Sequence, residues 1–317
     1  MFSRYPYVRY SIHGHTLQLQ CAVPFLHEAI TRELKNFAVE TISTRAAPIH
    51  GMIHPFNQRE VLRHLSPTAT RLNSGDDLIE LYQHDERFWL IDDHWGICEI
   101  NLLKSRWRSW ILPDARADAT EIFERSMLWP IVQLLRPRGL SIIPAAAVTR
   151  DNWGVLILSS FNIEPELSML VHAGFRVVGQ RFAAIRDHAG HVEMLHMPGH
   201  VERMVRSTNG AATQRVDLTA ELCGSGCEQA VCNAVMVVAP GRRPLSHLNR
   251  ISPSNATGAL RNAWPIVELH PQKRHGELPL RMAKRCRVFD VQLSRNPKDL
   301  LSLMEAARYE RLPAKVA

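Results

Sequence analysis

The sequence predicts an α/β protein in which a mixed sheet is flanked by helices. Three stretches carry the prediction. Residues 140–185 alternate short apolar runs with turn and helix signals, and residues 77–112 form four strand-length runs joined by tight turns. Residues 288–310 read as a strand followed by a helix. Short apolar runs bounded by turn residues suit buried sheet positions.

The elements follow in order. Tyr7–Cys21 alternates apolar and polar residues around His13-Gly14, a hairpin pattern, and residues 25–40 have helical periodicity. Residues 41–75 are rich in Pro, His, Ser and Thr and read as a linker or irregular region. The four runs LIELYQHD, RFWLIDD, GICEINLL and SRWRSWIL make an antiparallel β-meander, with Asp85-Glu86 and Asp92-Asp93-His94 at the turns. Trp89, Trp95, Trp107 and Trp110 lie in or beside these runs. With Arg106 and Arg108 they read as strand aromatics packing on a helix; stacked bases are the other reading. Asp118–Leu135 reads as a helix that Pro130 kinks or splits.

The central unit follows. Leu140–Val148 reads as one strand, Arg150-Asp151-Asn152 as a turn and Trp153–Leu158 as a buried strand. A polar loop then leads to a helix over Pro165–Ala173, Gly174 stands where a helix-ending glycine belongs, and Phe175–Val178 opens another strand. Beyond it, RDHAGH reads as a turn, VEMLHM as a strand, residues 203–214 as a mobile loop and Val216–Leu222 as a strand. Ala234–Ala239 is a clear apolar strand, Ser252–Trp264 a helix, and Asn296-Pro297-Lys298-Asp299 a coherent helix start.

The 317 residues are 45% hydrophobic and 22% charged, which makes a sizeable core affordable and excludes wholesale disorder. The net charge of +7 and a pI near 9.3 permit an acidic partner without requiring one. Six cysteines in a chain this long do not form a disulfide framework, so the expected compartment is the cytoplasm. No apolar signal core opens the chain, and no stretch reaches the roughly 20 apolar residues that span a bilayer.

A strand–loop–helix unit is where α/β proteins place phosphate sites, because the helix start offers unpaired N–H groups. A phosphate-cradling loop needs G-x-x-x-x-G-K-[ST]. Here the positions are Ser159, Ser160, Phe161, Asn162, Ile163, Glu164, Pro165 and Glu166, with no glycine and no lysine. Pro165 suits the first helical turn. Glu164 and Glu166 complement the helix dipole and repel phosphate, each contributing roughly 0.3–1 kcal/mol if exposed. Replacing both by Gln is therefore expected to lower stability modestly.

The ordered pattern resembles the HPr kinase/phosphorylase-like family, serine kinases related in fold to phosphoenolpyruvate carboxykinase. The matching stretches are PAAAVTRDNWGVLIL, LVHAGFRVV, the upstream meander with ERSMLWPIVQLL, CNAVMVVAPGRRPLSHLNRISPSNATGALRNAW, and RCRVFDVQLSRNPKDLLSLM. The resemblance covers roughly residues 77–310. It implies an N-terminal region 1–76 and a kinase-like domain 77–317, comprising the meander 77–112 and a core 118–310. It also implies ATP and Mg²⁺ as cofactors for a working member, and a homo-oligomer.

The departures concern the active site. The phosphate loop is absent. Pro144 stands where a His commonly precedes the small-residue strand, and the acidic pair expected near Gly179, Gln180 and Arg181 is missing. Phosphoryl transfer depends on backbone N–H groups, a lysine, Mg²⁺ and an aspartate that orients the nucleophile. Losing these together implies a degenerate, pseudokinase-like regulatory module that binds a protein or peptide and holds no cofactor. The competing expectation is an atypical ATP-dependent serine or peptide kinase that holds nucleotide through Arg181, Lys273 or Arg274. Nucleic-acid binding is a third class, and a less expected one.

Two other constellations stand out. Cys223, Cys227 and Cys232, with Cys286, His270 or His275 as a fourth ligand, fit zinc spacing loosely; free cysteines are the plainer reading. The segment 270–287 concentrates Lys273, Arg274, Arg281, Lys284, Arg285 and Arg287. It reads as a solvated basic face or as a contact for an acidic partner or phosphate group.

Overall fold

The computed structural model describes residues 5–40, 47–72, 80–115, 118–197, 199–207, 210–221, 226–241, 245–262, 277–294 and 296–309. The chain divides into two compact units, residues 1–138 with 267–269, and residues 139–266 with 270–317.

The first unit is built on an eight-stranded sheet. A hairpin of β1 (Val8–Ile12) and β2 (His15–Cys21) turns at His13-Gly14, and α1 (Pro24–Glu33) follows. The region expected to be irregular instead holds β3 (Ile49–Pro55), α2 (Gln58–His64) and β4 (Thr70–Leu72). Alternation of buried Ile49, Gly51 and Ile53 with half-buried residues makes 49–53 a strand despite its histidines and terminal proline. The meander forms as expected, in β5 (Glu80–His84), β6 (Arg87–Asp92), β7 (Gly96–Asn101) and β8 (Arg106–Ile111).

β3 pairs in parallel with both β2 and β8, so the order is β1-β2-β3-β8-β7-β6-β5-β4. The meander therefore shares one sheet with residues 1–76, and the structural division falls after Arg138, not at 76/77. All four tryptophans of this region are 1% exposed or less, which places them in the core rather than on a base-stacking surface. Asp118 caps α3 (Ala119–Phe123) through the N–H groups of Thr120 and Glu121. A π-helical turn over Glu124–Leu128 joins α3 to α4 (Trp129–Leu135), with Pro130 directly after it; the wider turn accommodates the N–H that proline lacks, and the Ser126 carbonyl accepts from Ser109 Oγ at 2.6 Å instead.

In the second unit, Leu140–Val148 is not one strand. Its chain breaks at Ala145 into β9 (Leu140–Pro144), which pairs with β13 (Phe182–His188), and β10 (Ala146–Arg150), which pairs with β11 (Trp153–Ser159) and β12 (Arg176–Gly179). Asp151 and Asn152 take φ of 50° and 60° between β10 and β11, the left-handed values a two-residue hairpin turn needs. α5 spans Glu164–His172, and β14 is His191–His196. The segment expected as a loop is the hairpin β15 (Val201–Ser207) and β16 (Gly210–Val216), and the strand expected over 216–222 is replaced by the single-turn helix α6 (Leu218–Glu221). β17 (Gln229–Pro240), β18 (His247–Arg250), α7 (Pro253–Asn262), α8 (Leu278–Arg285), β19 (Arg287–Leu293) and α9 (Lys298–Arg308) complete the unit.

β17 is the centre of this sheet. It pairs in parallel with β11 on one side and β19 on the other, while its first residues pair antiparallel with β14. Both faces are buried. Val155 and Ile157 of β11 join Leu167, Leu170, Leu300 and Leu303 from α5 and α9. Leu156 and Leu158 join Ala256, Leu260 and Met282 from α7 and α8. The result is a three-layer helix–sheet–helix arrangement, in which alternate residues of one strand serve opposite faces. Among the described residues, no helix is long and apolar enough to cross a membrane.

Gly154 sits at a register shift between β11 and β17, and its N–H donates to the Asn233 side chain at 2.8 Å. A Cβ there would lie 2.1 Å from the Val231 carbonyl oxygen. Gly154→Ala is expected to destabilise the protein by about 1–3 kcal/mol, since backbone on a neighbouring strand cannot step aside. Chemical denaturation checks this: an unchanged midpoint would contradict the packing described.

Candidate functional site

The site is built where the parallel strand β11 delivers the chain to α5, the position where open α/β sheets place ligands. Two backbone donors of the loop are met by its own side chains. Ser159 Oγ donates to the Phe161 carbonyl at 2.9 Å and accepts from the Phe161 N–H at 3.1 Å. Asn162 Oδ1 accepts the Glu164 N–H at 3.0 Å. Pro165 has no N–H. Two amides that would face an anion are thus committed to side chains of the loop, and a third position has none to offer.

A carboxylate occupies the helix start. The Glu164 side chain is 8% exposed and is held by Arg203 of β15, with Nη2 at 2.7 Å and Nε at 2.8 Å from Oε1. The same guanidinium forks onto both carboxylate oxygens of Glu221 in α6, at 2.7 and 2.9 Å. Arg203 therefore ties the β15–β16 hairpin and α6 to the first turn of α5. Glu166 is different. It is half-buried, and its Oε2 has no hydrogen-bond partner among the described residues. Burial, reinforced by the nearby Glu164 charge, pushes its carboxyl above the ordinary range.

The strand β12 ends opposite this loop. A Cβ on Gly179 would meet the Phe182 carbonyl oxygen at 2.2 Å, so glycine is required there. Gln180 is 5% exposed, and its amide is fully engaged: Nε2 donates to Asp217 Oδ1 at 2.6 Å and Oε1 accepts the Leu218 N–H at 2.8 Å. Asp217 also accepts from Thr219 Oγ1 at 2.6 Å. Burial opposes its ionisation, but the hydrogen bonds from Thr219 and Gln180 hold its carboxyl below the ordinary value. Arg181 lies over the Phe182 ring at 5.7 Å.

A cavity of about 330 Å³ opens between these elements, lined by Ser159, Ser160, Asn162, Gln180, Arg181 and His200 among others. The two regions singled out from sequence, the loop and the end of the A-G-F strand, thus meet in space. Glu164 and Glu166 point their chemistry elsewhere, one into the Arg203 bridge and one into a half-buried position. Arg203 escaped notice because residues 203–214 read as a loop, and Asp217 because Val216–Leu222 read as a strand. The Asn209-Gly210 dipeptide was the hairpin signal in this stretch.

The remaining candidates are dispersed. Lys284 and Arg285 are exposed on α8. Arg285 pairs with Asp187 of β13, and Arg281 bridges Asp187 at 2.8 Å and Glu277 at 2.7 Å, so acidic neighbours partly neutralise the basic face. Lys273, Arg274 and Cys223 lie outside the described residues. Cys227 Sγ donates to the Gln229 carbonyl at 3.1 Å. Cys232 and Cys286 are free and buried, with Cys286 Sγ donating to the Cys232 carbonyl at 3.3 Å. Hydrogen bonding with Cys286 and burial push the Cys232 thiol well above its ordinary value, which suits an inert core cysteine. Among the described residues, no group of three or more His, Cys, Asp or Glu side chains is placed to hold a metal ion.

The two glutamates at the α5 start are therefore expected to respond with opposite sign, not alike. Glu164→Gln removes a charged partner from Arg203 and should cost about 1–3 kcal/mol. Glu166 has a raised folded-state pKa, so its protonated form favours folding and its ionisation works against it. Its favourable contribution is complete below the ordinary carboxylate range and is lost as pH rises through the raised value. Glu166→Gln should accordingly raise the Tm at neutral pH, with the gain disappearing in acid; melts of both single variants across pH 3.5–8 check this. Gln180→Glu should lower the Tm at neutral pH, because it sets a second carboxylate against Asp217 and removes a donor, and acid should relieve the loss.

No family model matches the chain, and no curated protein matches it. Among solved structures it is similar to the HPr(Ser) kinase/phosphatase of Coxiella burnetii, at 14% identity and a TM-score of 0.31. That similarity covers 54% of this chain and 98% of the other, a distant structural relationship.

Proposed function

We propose that the second unit is a kinase-like scaffold that has given up nucleotide chemistry at the β11–α5 loop and works as a regulatory module binding a protein or peptide. The observation that carries this reading is the Glu164–Arg203–Glu221 bridge: the α5 start, where a phosphate would dock, is already taken by an internal carboxylate and its counter-ion. A nucleotide phosphate approaching there would find the helix start already neutralised by the Glu164–Arg203 pair, with no lysine and no glycine in the loop. The cavity beside the loop has room for a side chain of a bound segment, with Gln180 and Arg181 at its wall. In this reading the protein needs neither ATP nor Mg²⁺ for its role.

The retained cavity also favours a second reading, an atypical phosphotransferase that seats nucleotide against Arg181. Isothermal titration of the full chain with MgATP and with MgGTP separates the two. The regulatory reading expects no binding tighter than about 1 mM and no nucleotide-dependent change in Tm. Micromolar binding, accompanied by transfer of γ-phosphoryl label to a serine of a partner, would establish the phosphotransferase instead.

A further inference from the structure

The first unit holds a second cavity, of about 570 Å³, within the range of small-molecule sites. Its wall carries three guanidinium groups, those of Arg59, Arg63 and Arg108, together with His54 and His64, against the single carboxylate of Glu60. Arg59 and Arg63 stand four residues apart on α2, so they share one face of the helix and repel each other. Among the described residues neither meets a carboxylate, and both are exposed.

The inner wall is fixed by a hydrogen bond and a close charge contact. Arg108 Nη1 donates to His64 Nε2 at 2.8 Å, and His64 Nδ1 lies 3.3 Å from Glu99 Oε2. Nε2 is the nearer acceptor for the Arg108 N–H, which requires that nitrogen to be unprotonated. Burial, the leading cause, keeps both His54 and His64 below the ordinary imidazole value. Glu99 has a side chain 3% exposed and stands behind His64, not on the cavity wall. Its role is to set the ring, which in turn positions Arg108. α2 and β8 hold the three guanidinium groups and β3 supplies His54, so the wall draws on three separate elements.

We infer that this cavity binds a small molecule through a doubly charged oxyanion group, the chemistry shared by phosphate monoesters and compact dicarboxylates. Guanidinium forks match both kinds of group in bidentate fashion, and clustering three of them near the carboxylates of Glu60 and Glu99 leaves a local positive excess for the ligand to neutralise. The site belongs to the first unit and does not depend on the proposed role of the second.

The test is calorimetric titration of the full chain with inorganic phosphate, glycerol 3-phosphate and succinate at constant ionic strength. At least one of the three is expected to bind below about 1 mM, and the phosphate and succinate arms distinguish the two ligand classes. Arg59→Gln/Arg63→Gln, at two exposed helix positions, should weaken that binding about tenfold or more while leaving the Tm within the parent's range. Lys104→Gln/Lys298→Gln, which removes the same charge at two other exposed positions, should leave it unchanged. Absence of binding by all three probes, or equal loss in both double variants, would overturn the inference.

Discussion

The second unit depends on a single constraint: β17 must be satisfied on both edges and covered on both faces at once. Its parallel ladders to β11 and β19 leave no room for slippage, because alternate residues along these strands feed different helix layers. A shift of one residue would exchange the α5/α9 contacts with the α7/α8 contacts and empty both. The Asn233 side chain and Gly154 absorb the one irregularity in this register, at the point where β17 passes from its neighbour β14 to β11. Everything at the site inherits its position from this alignment, since β11 ends beside the loop and β12 is carried by β10.

With the ladder fixed, electrostatics decides what the end of β11 is for. A helix start is intrinsically attractive to anions. In this chain the anion is supplied internally, by Glu164, and its counter-ion comes from a hairpin remote in sequence. The Asn162 side chain and Ser159 hydroxyl take amides that such a loop otherwise leaves open. On the facing strand, the Gln180 amide bonds to Asp217 and to the Leu218 N–H. On both sides the polar side chains beside the cavity bond to nearby groups of the chain itself.

Much of the architecture was legible in the sequence, and the exceptions have physical causes. The meander, β11, α5, β12 and the closing strand and helix announce themselves through apolar runs and turn residues such as Asp151-Asn152. β3 did not, because a central strand rich in His and Pro reads as a linker until Ile49 and Ile53 are seen to face the core. The break at Ala145 was invisible, since a run of small apolar residues does not record a change of partner. Of the site, the loop was found from its place between a strand and a helix, and the end of β12 only through the family resemblance. Arg203 was not, because a long-range ion pair leaves no trace in local pattern. The opposite environments of Glu164 and Glu166 were equally hidden, as two glutamates one residue apart look the same in a string of letters.

The β10–β11 hairpin has a consequence for how the chain reaches this structure. Two consecutive residues with left-handed backbone close it locally, with almost no loop to order. The next ladder, from β11 to β17, brings together strands separated by the whole of residues 160–228. Loop-closure entropy therefore falls almost entirely on that second pairing. The intervening segment contains α5, two hairpins and the Arg203 bridge, each of which shortens the effective span before it closes. The self-satisfied loop after Ser159 then acts on folding speed as well as on ligands: by holding α5 against its own strand, it reduces the length of free chain that the central ladder has to capture.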